Sequence, residues 1–202
     1  MKIKSAVRVL KSGGVVVFPT ETSYGIGCDA TNAKAVRRVF EMKGRSNKKG
    51  TPLIVSSLAM ARRYAVFSPT ALALAKKHWP GPLTLVLPIG ETKLVRLPLA
   101  KSVLQDSTVA LRVSSDPTAR ALARGLGRPI IATSANRSGE PPAFRILDLP
   151  RFGLSSDDGG RHRETARIYI LNAGTLPKRK PSTLARVIGD CVEVLRRGSI
   201  KI

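Results

Sequence analysis

The sequence predicts a single α/β domain over residues 1–202, a twisted sheet of mixed strand direction with helices packed against it. Three observations carry this expectation. Short β-branched runs such as Val15-Val16-Val17-Phe18 are too brief for helices. They alternate with stretches whose apolar residues recur at helical spacing. Several of the runs are apolar at successive positions, the pattern of strands covered on both faces.

The elements follow in order. Ile3, Val7 and Leu10 share one helical face, and Gly13-Gly14 stop that helix before the strand Val15–Phe18. Asn32 can cap a helix whose inner face is Val36, Val39 and Phe40, ending near Gly44. Leu53-Ile54-Val55 is a second strand. Ser68-Pro69 opens a helix toward His78, and Pro80-Gly81-Pro82 separates it from the strand Leu83–Leu87. Residues 108–114 alternate as a strand does, and Asp116-Pro117 caps a helix reaching Gly125 or Gly127. A strand over Pro129–Thr133, a polar loop over 137–164, and strands over 167–171, 182–188 and 192–196 complete the chain.

Charge narrows the function. Lys and Arg number 35 against 13 Asp and Glu, a formal charge of +22. The excess is spread evenly, +8, +8 and +6 over residues 1–50, 51–150 and 151–202. An evenly cationic surface favours polyanionic partners: nucleic acid, nucleotides, phosphates. Aromatic residues are only 4% of the chain, which argues against a base-stacking platform for single strands. No apolar run approaches the roughly 20 residues of a membrane helix, and the opening Met1-Lys2-Ile3-Lys4 lacks a secretory signal. Cys28 and Cys191 are far apart and form neither a zinc spacing nor a disulfide framework. A cytoplasmic protein with no membrane association is the expectation.

Several chemistries are excluded or weakened. There is no GxxxxGK[ST] phosphate loop and no GxSxG nucleophile elbow. Gly25-Ile26-Gly27-Cys28-Asp29-Ala30 fits GxGxxA, but Pro19–Tyr24 separate it from the preceding strand and the next helix starts only near Asn32. A dinucleotide fingerprint needs a tight strand–turn–helix, so close backbone approach in a turn is the better reading of these glycines. His78 and His162 are the only imidazoles, and neither has a partner at ligand spacing. Cys28 has no nearby histidine and reads as a small buried thiol.

Two polar clusters remain. Lys43-Gly44-Arg45-Ser46-Asn47-Lys48-Lys49-Gly50-Thr51 is a cationic turn in which point charge and planar fork together suit a triphosphate; by spacing alone a solvated loop explains it as well. Ala132-Thr133-Ser134-Ala135-Asn136-Arg137-Ser138-Gly139 lies at a strand's C-terminal end, where open α/β sheets place ligands. Ordinary turn chemistry explains that composition too.

Both clusters gain meaning beside Phe18-Pro19-Thr20-Glu21-Thr22-Ser23-Tyr24-Gly25-Ile26-Gly27, His78-Trp79-Pro80-Gly81-Pro82-Leu83-Thr84 and Thr108-Val109-Ala110-Leu111-Arg112. The five blocks, in this order from about residue 3 to 200, resemble the YrdC-type family of L-threonylcarbamoyladenylate synthases, in its short form without an appended C-terminal domain. One such block alone is unspecific; the ordered set is specific.

The resemblance implies a YrdC-like fold with a large basic concave face. It implies an enzyme, a nucleotidyltransferase joining L-threonine, bicarbonate or CO2 and ATP into threonylcarbamoyl-AMP and pyrophosphate, with Mg2+ assisting. Downstream transferase machinery would use the product to modify the tRNA adenosine 3′ of the anticodon. The family's Lys-x-Arg and Ser-x-Asn signature falls on Lys43, Arg45, Ser134 and Asn136. Its threonine contacts fall on Thr20, Arg112, Ala132 and Ser182, and its nucleotide contacts on Arg45, Thr51, Thr108, Ser134, Pro142 and Arg196. The resemblance leaves the metal ligands unassigned, and no histidine base is required.

The chain departs from the family pattern in places. The loop between Arg45 and Pro52 is about two residues longer than usual. Ser56 stands where a histidine is often found. Asn172-Ala173-Gly174 replaces Asp-Gly-Gly, Leu195-Arg196-Arg197-Gly198 replaces Leu-Arg-Pro-Gly, and Asp157-Asp158-Gly159-Gly160 has no assigned role. Two alternatives are a non-catalytic binder of double-stranded RNA or tRNA, and a carbamoyl-transfer domain of the hydrogenase-maturation type. Retention of Lys43, Arg45, Ser134 and Asn136 together favours the synthase.

One expectation is geometric. Alternation along 108–114 puts Thr108, Ala110 and Arg112 on one face and Val109, Leu111 and Val113 on the other. The apolar face must pack inward, so the Arg112 face is the one that can line a cavity.

Overall fold

The computed structural model describes residues 2–44, 50–89, 99–150, 152 and 168–202. Its helices are α1 (Lys2–Lys11), α2 (Ala33–Lys43), α3 (Leu58–Ala61), α4 (Pro69–His78) and α5 (Pro117–Leu126). Its strands are β1 (Val15–Pro19), β2 (Tyr24–Gly27), β3 (Leu53–Ile54), β4 (Leu83–Pro88), β5 (Thr108–Arg112), β6 (Ile130–Ile131), β7 (Thr133–Ser134), β8 (Ile168–Ile170), β9 (Thr183–Ile188) and β10 (Cys191–Arg196).

The predicted caps are made. Asn32 Oδ1 accepts from the Ala35 amide at 3.1 Å and Gly44 closes α2 in the left-handed region at φ 60°. Ser68 Oγ accepts from Ala71 at 3.2 Å with Pro69 in the first turn of α4. Asp116 Oδ1 accepts from Thr118 and Ala119 at 2.8 and 3.1 Å, and Gly127 ends α5. The one-turn helix α3, capped by Ser57, is not expected from the sequence.

The strands form two mixed sheets rather than one, in the orders β7-β2-β1-β8 and β10-β9-β4-β5-β3-β6. In the first, β1 runs antiparallel to β2 and parallel to β8. In the second, β4 is parallel to β9 and antiparallel to β5, while β5 is parallel to β3. The predicted strand 129–133 is split between the sheets: β6 pairs with β3 and β7 with β2.

The glycine run is a strand, not a turn. Tyr24–Gly27 pairs with β1, Phe18 opposite Gly25. A Cβ on Gly27 would lie 1.8 Å from the Ile131 carbonyl oxygen, so only glycine lets the two strands approach there.

Strand β1 is buried on both faces. Val15 and Val17 join the larger core with Val36, Val39, Phe40 and Leu111. Val16 and Phe18 join the smaller one, closed by Ala6 and Leu10 of α1 and Leu122 and Leu126 of α5. That explains an apolar run without alternation. No helix among the described residues is long and apolar enough to cross a membrane. Arg45, His162 and residues 157–160 lie outside the described residues, as does most of the expected 137–164 loop beyond 150.

Candidate active site

A cavity of about 690 Å³ is lined by residues of both sheets, among them Tyr24, Ser134, Thr84, Arg112 and Arg196. That volume lies within the roughly 300–1,000 Å³ typical of small-molecule sites. Three guanidiniums line it, Arg112, Arg179 and Arg196, against one carboxylate, Glu140, among the described residues.

The turn between β1 and β2 is the first wall. Thr20 Oγ1 donates to the Ser23 carbonyl at 2.7 Å and accepts from the Thr22 and Ser23 amides at 3.2 and 3.3 Å. One hydroxyl thus organises the turn, and Thr20 stays buried at the cavity edge. Tyr24 reaches across the cavity's side, donating its hydroxyl to the Gly174 carbonyl at 2.8 Å and accepting from the Ala173 amide at 2.9 Å. The Asn172-Ala173-Gly174 departure from the family pattern therefore still meets the first sheet.

The second wall is the segment after β6. The Ala132 amide donates to the Pro52 carbonyl at 2.9 Å. Ser134 Oγ donates to Asn136 Oδ1 at 2.6 Å, and Asn136 Nδ2 donates to the Glu140 carbonyl. Lys43, at the end of α2, is only 3% exposed. Its ammonium donates to the Ser134 carbonyl at 2.5 Å, the Asn136 carbonyl at 2.6 Å and Asn136 Oδ1 at 3.0 Å. Ala132, Ser134, Asn136 and Pro142 line the cavity; Lys43 supports that wall from behind.

The floor belongs to the larger sheet. Arg112 ends β5 on the face that alternation assigns to the cavity, with Val109 and Leu111 buried on the other side. Its Nη1 lies 3.4 Å from Glu21 Oε1, and Ser114 Oγ donates to Glu21 Oε2. Burial pulls the Arg112 guanidinium below its usual value, and Glu21 opposes that shift. Arg196 Nη2 donates to the Ser182 carbonyl and Oγ at 2.9 and 3.1 Å. The hydroxyls of Ser182, just before β9, and Thr84 on β4 are 2.9 Å apart. Partial burial and the neighbouring Arg112 charge lower the Arg196 value.

Of the residues singled out in the sequence, Thr20, Arg112, Ala132, Ser134, Asn136, Pro142, Ser182 and Arg196 line one cavity. Two do not. Thr51 is fully buried with its Oγ1 unpartnered, and its neighbours Gly50 and Pro52 face the cavity instead. Thr108 turns its hydroxyl to the Gln105 carbonyl at 2.6 Å, and Gln105 takes the place at the wall, its Oε1 accepting from the Gly50 amide at 3.2 Å. Ser56 is buried, 3.7 Å from the Met60 sulfur, and is not part of the lining. Sequence reasoning missed Glu21, Thr84 and Gln105. Glu21 and Thr84 lay within blocks already quoted; Gln105 precedes a turn with Asp106 and Ser107 both at positive φ, which no residue pattern announces.

The thiol of Cys28 is fully buried, and burial raises its value far above that of an ordinary cysteine, which leaves it inert. Among the described residues no three His, Cys, Asp or Glu side chains gather to hold a metal ion.

The chain matches the Sua5/YciO/YrdC family, described as telomere recombination, over residues 8–198. It is 37% identical over 177 residues to the threonylcarbamoyl-AMP synthase of Thiobacillus denitrificans, covering 87% of this chain and 85% of that one. The Coxiella burnetii threonylcarbamoyl-AMP synthase is 39% identical over 172 residues, covering 81% and 89%. The crystal structure of P. abyssi Sua5 complexed with L-threonine superposes with a TM-score of 0.80 at 32% identity, over 97% of this chain. This chain spans 54% of that longer protein. With a family match across nearly its whole length, the chain belongs to the Sua5/YciO/YrdC family.

Proposed function

We propose that the protein is a threonylcarbamoyl-AMP synthase, converting L-threonine, bicarbonate or CO2 and ATP into threonylcarbamoyl-AMP and pyrophosphate. The observation that carries the reading is the convergence of Arg112 and the Ser134–Asn136 segment on one cationic cavity, in a chain whose relatives bear that name.

In this reading Arg112 takes the threonine carboxylate, and Thr20, Ser182 and the Ala132 backbone surround the amino acid. The amine adds to the carbonate carbon with loss of water (or to CO2 directly). One oxygen of the resulting carbamate attacks the α-phosphorus of ATP, the bond to the β-phosphate breaks, and pyrophosphate leaves. No covalent enzyme intermediate is needed, so catalysis rests on positioning and charge neutralisation. Ser134 at the wall and Arg196 on the floor hold the nucleotide, with Pro142 at its edge; Arg45 of the family signature is assigned to the phosphates. Lys43 and Asn136 keep the wall in shape. Thr51 and Thr108 act through their neighbours Gly50 and Gln105. Magnesium, where bound, would supply charge neutralisation to the triphosphate beside Ser134 and Arg196.

In this reading the product goes to tRNA threonylcarbamoylation by downstream transferase machinery, and we assign the reaction to the cytoplasm. The charge of +22 supports direct contact with tRNA. The test of the synthase reading is pyrophosphate release measured with each substrate withheld in turn. Release that needs threonine, bicarbonate and ATP together is expected; release indifferent to threonine contradicts the reading.

A further inference from the structure

The cavity must hold two kinds of anion side by side, a singly charged carboxylate and a chain of phosphates, and its floor is cationic. Arg112 and Arg196 both line it, close enough that the Arg112 charge bears on Arg196. Two uncompensated guanidiniums in a low-dielectric floor would attract a phosphate group more strongly than a carboxylate.

Glu21 alters that balance. Its carboxylate, with a side chain 6% exposed, lies 3.4 Å from Arg112 Nη1 and is the only anion paired with Arg112 among the described residues. Ser114 Oγ holds its other oxygen, and Ser114 Oγ in turn accepts from the Asp116 amide at 3.1 Å, at the start of α5. The carboxylate is thus a fixed counter-charge, not a mobile surface group. The 3.4 Å separation leaves Glu21 Oε1 without a hydrogen bond, so the guanidinium keeps its donors for a ligand.

We infer that Glu21 is the specificity-determining residue of the Arg112 subsite: it neutralises one of the two floor guanidiniums, so that the Arg112 end accepts a monocarboxylate and rejects phosphate-like dianions, which are left to Arg196. Glu21 does not touch the amino acid; it acts through Arg112, by charge. The two substrates are thereby kept from exchanging places, an arrangement in which rejection of the wrong ligand matters as much as attraction of the right one. This inference rests on the reading that Arg112 receives the threonine carboxylate.

The test is calorimetric titration of L-threonine into the full-length protein, with and without inorganic sulfate, for wild type, Glu21→Gln and Glu21→Asp. Sulfate is a dianion throughout the neutral range. In wild type it competes weakly. In Glu21→Gln the ratio of sulfate to threonine affinity rises by at least about tenfold, the scale of one charge-assisted contact, whereas Glu21→Asp, which keeps the charge, stays near wild type. Ser114→Ala, which frees the carboxylate from its anchor, moves the ratio in the same direction by a smaller factor and serves if Glu21→Gln does not fold. An unchanged ratio in both Glu21→Gln and Ser114→Ala overturns the inference. Absence of threonine binding to wild type would instead overturn the functional reading, and direct sulfate titration of the two proteins would still decide the role of Glu21.

Discussion

Lys43 and Asn136, 93 residues apart in sequence, are joined by two hydrogen bonds from one ammonium, to the Asn136 carbonyl at 2.6 Å and to its Oδ1 at 3.0 Å. With the further bond to the Ser134 carbonyl, the end of α2 is tied to the cavity wall by a buried cation.

Replacing that cation is therefore costly in stability. Lys43→Met keeps the apolar stem and strips the donors from two carbonyls and an amide oxygen. Bonds to charged groups contribute about 1.5–3 kcal/mol, and a loss of about 2–3 kcal/mol is expected by urea denaturation, with at least a tenfold fall in turnover. A variant as stable as wild type would mean that solvent replaces the ammonium without penalty.

Arg112→Lys replaces a planar fork with a point charge on a rigid strand. Threonine binding weakens by about 2–3 kcal/mol. ATP affinity measured without threonine changes much less if the nucleotide is held, as proposed, by Ser134 and Arg196. Calorimetry on the folded variant reads both; undiminished threonine affinity would leave Arg112 as an ion-pair partner of Glu21 and no more.

The cysteines differ in the same measurable way. Cys28 is buried and Cys191 exposed. An aromatic disulfide reagent at mildly alkaline pH titrates one thiol in the native protein and two after denaturation. Burial holds the Cys28 value above the ordinary 9.0, so its contribution to stability is complete below pH 9 and is lost as the pH rises further. Two fast-reacting native thiols would contradict the packing of β2 against the core.

The net charge makes its own prediction. Binding of unmodified tRNA falls steeply between low and high salt, as neutralised phosphates release counter-ions. Filter binding across a salt series checks it, and affinity independent of salt would make the charge a matter of solubility.

Local features were legible in the sequence, and long-range ones were not. Asn32, Ser68 and Asp116 announce their helices because a cap is satisfied within three residues. The inward and outward faces of β5 follow from alternation alone, which is why Arg112 was placed correctly at the cavity. By contrast, Tyr24–Gly27 carries two glycines and reads as a turn; it is a strand because Gly27 admits the Ile131 carbonyl, a partner 104 positions away. The division into two sheets was hidden for the same reason: β3, β6 and β7 are two residues each and exist through their partners. Thr51 and Thr108 are absent from the lining while Gly50, Pro52 and Gln105 are in it, because the local turn decides which residue of a segment faces the cavity. Glu21 was in view inside a quoted block, yet its role depends on Arg112 and Ser114, more than 90 positions downstream.

The central claim is that one cavity joins threonine, carbonate and ATP. The most direct measurement is mass spectrometry of the nucleotide product after incubation with ATP, L-threonine and 13C-bicarbonate. An adenylate carrying both threonine and one labelled carbon is expected, formed in step with one pyrophosphate and absent when threonine is omitted. A folded protein that releases pyrophosphate without such an adenylate, or forms an unlabelled threonine adenylate, would contradict it.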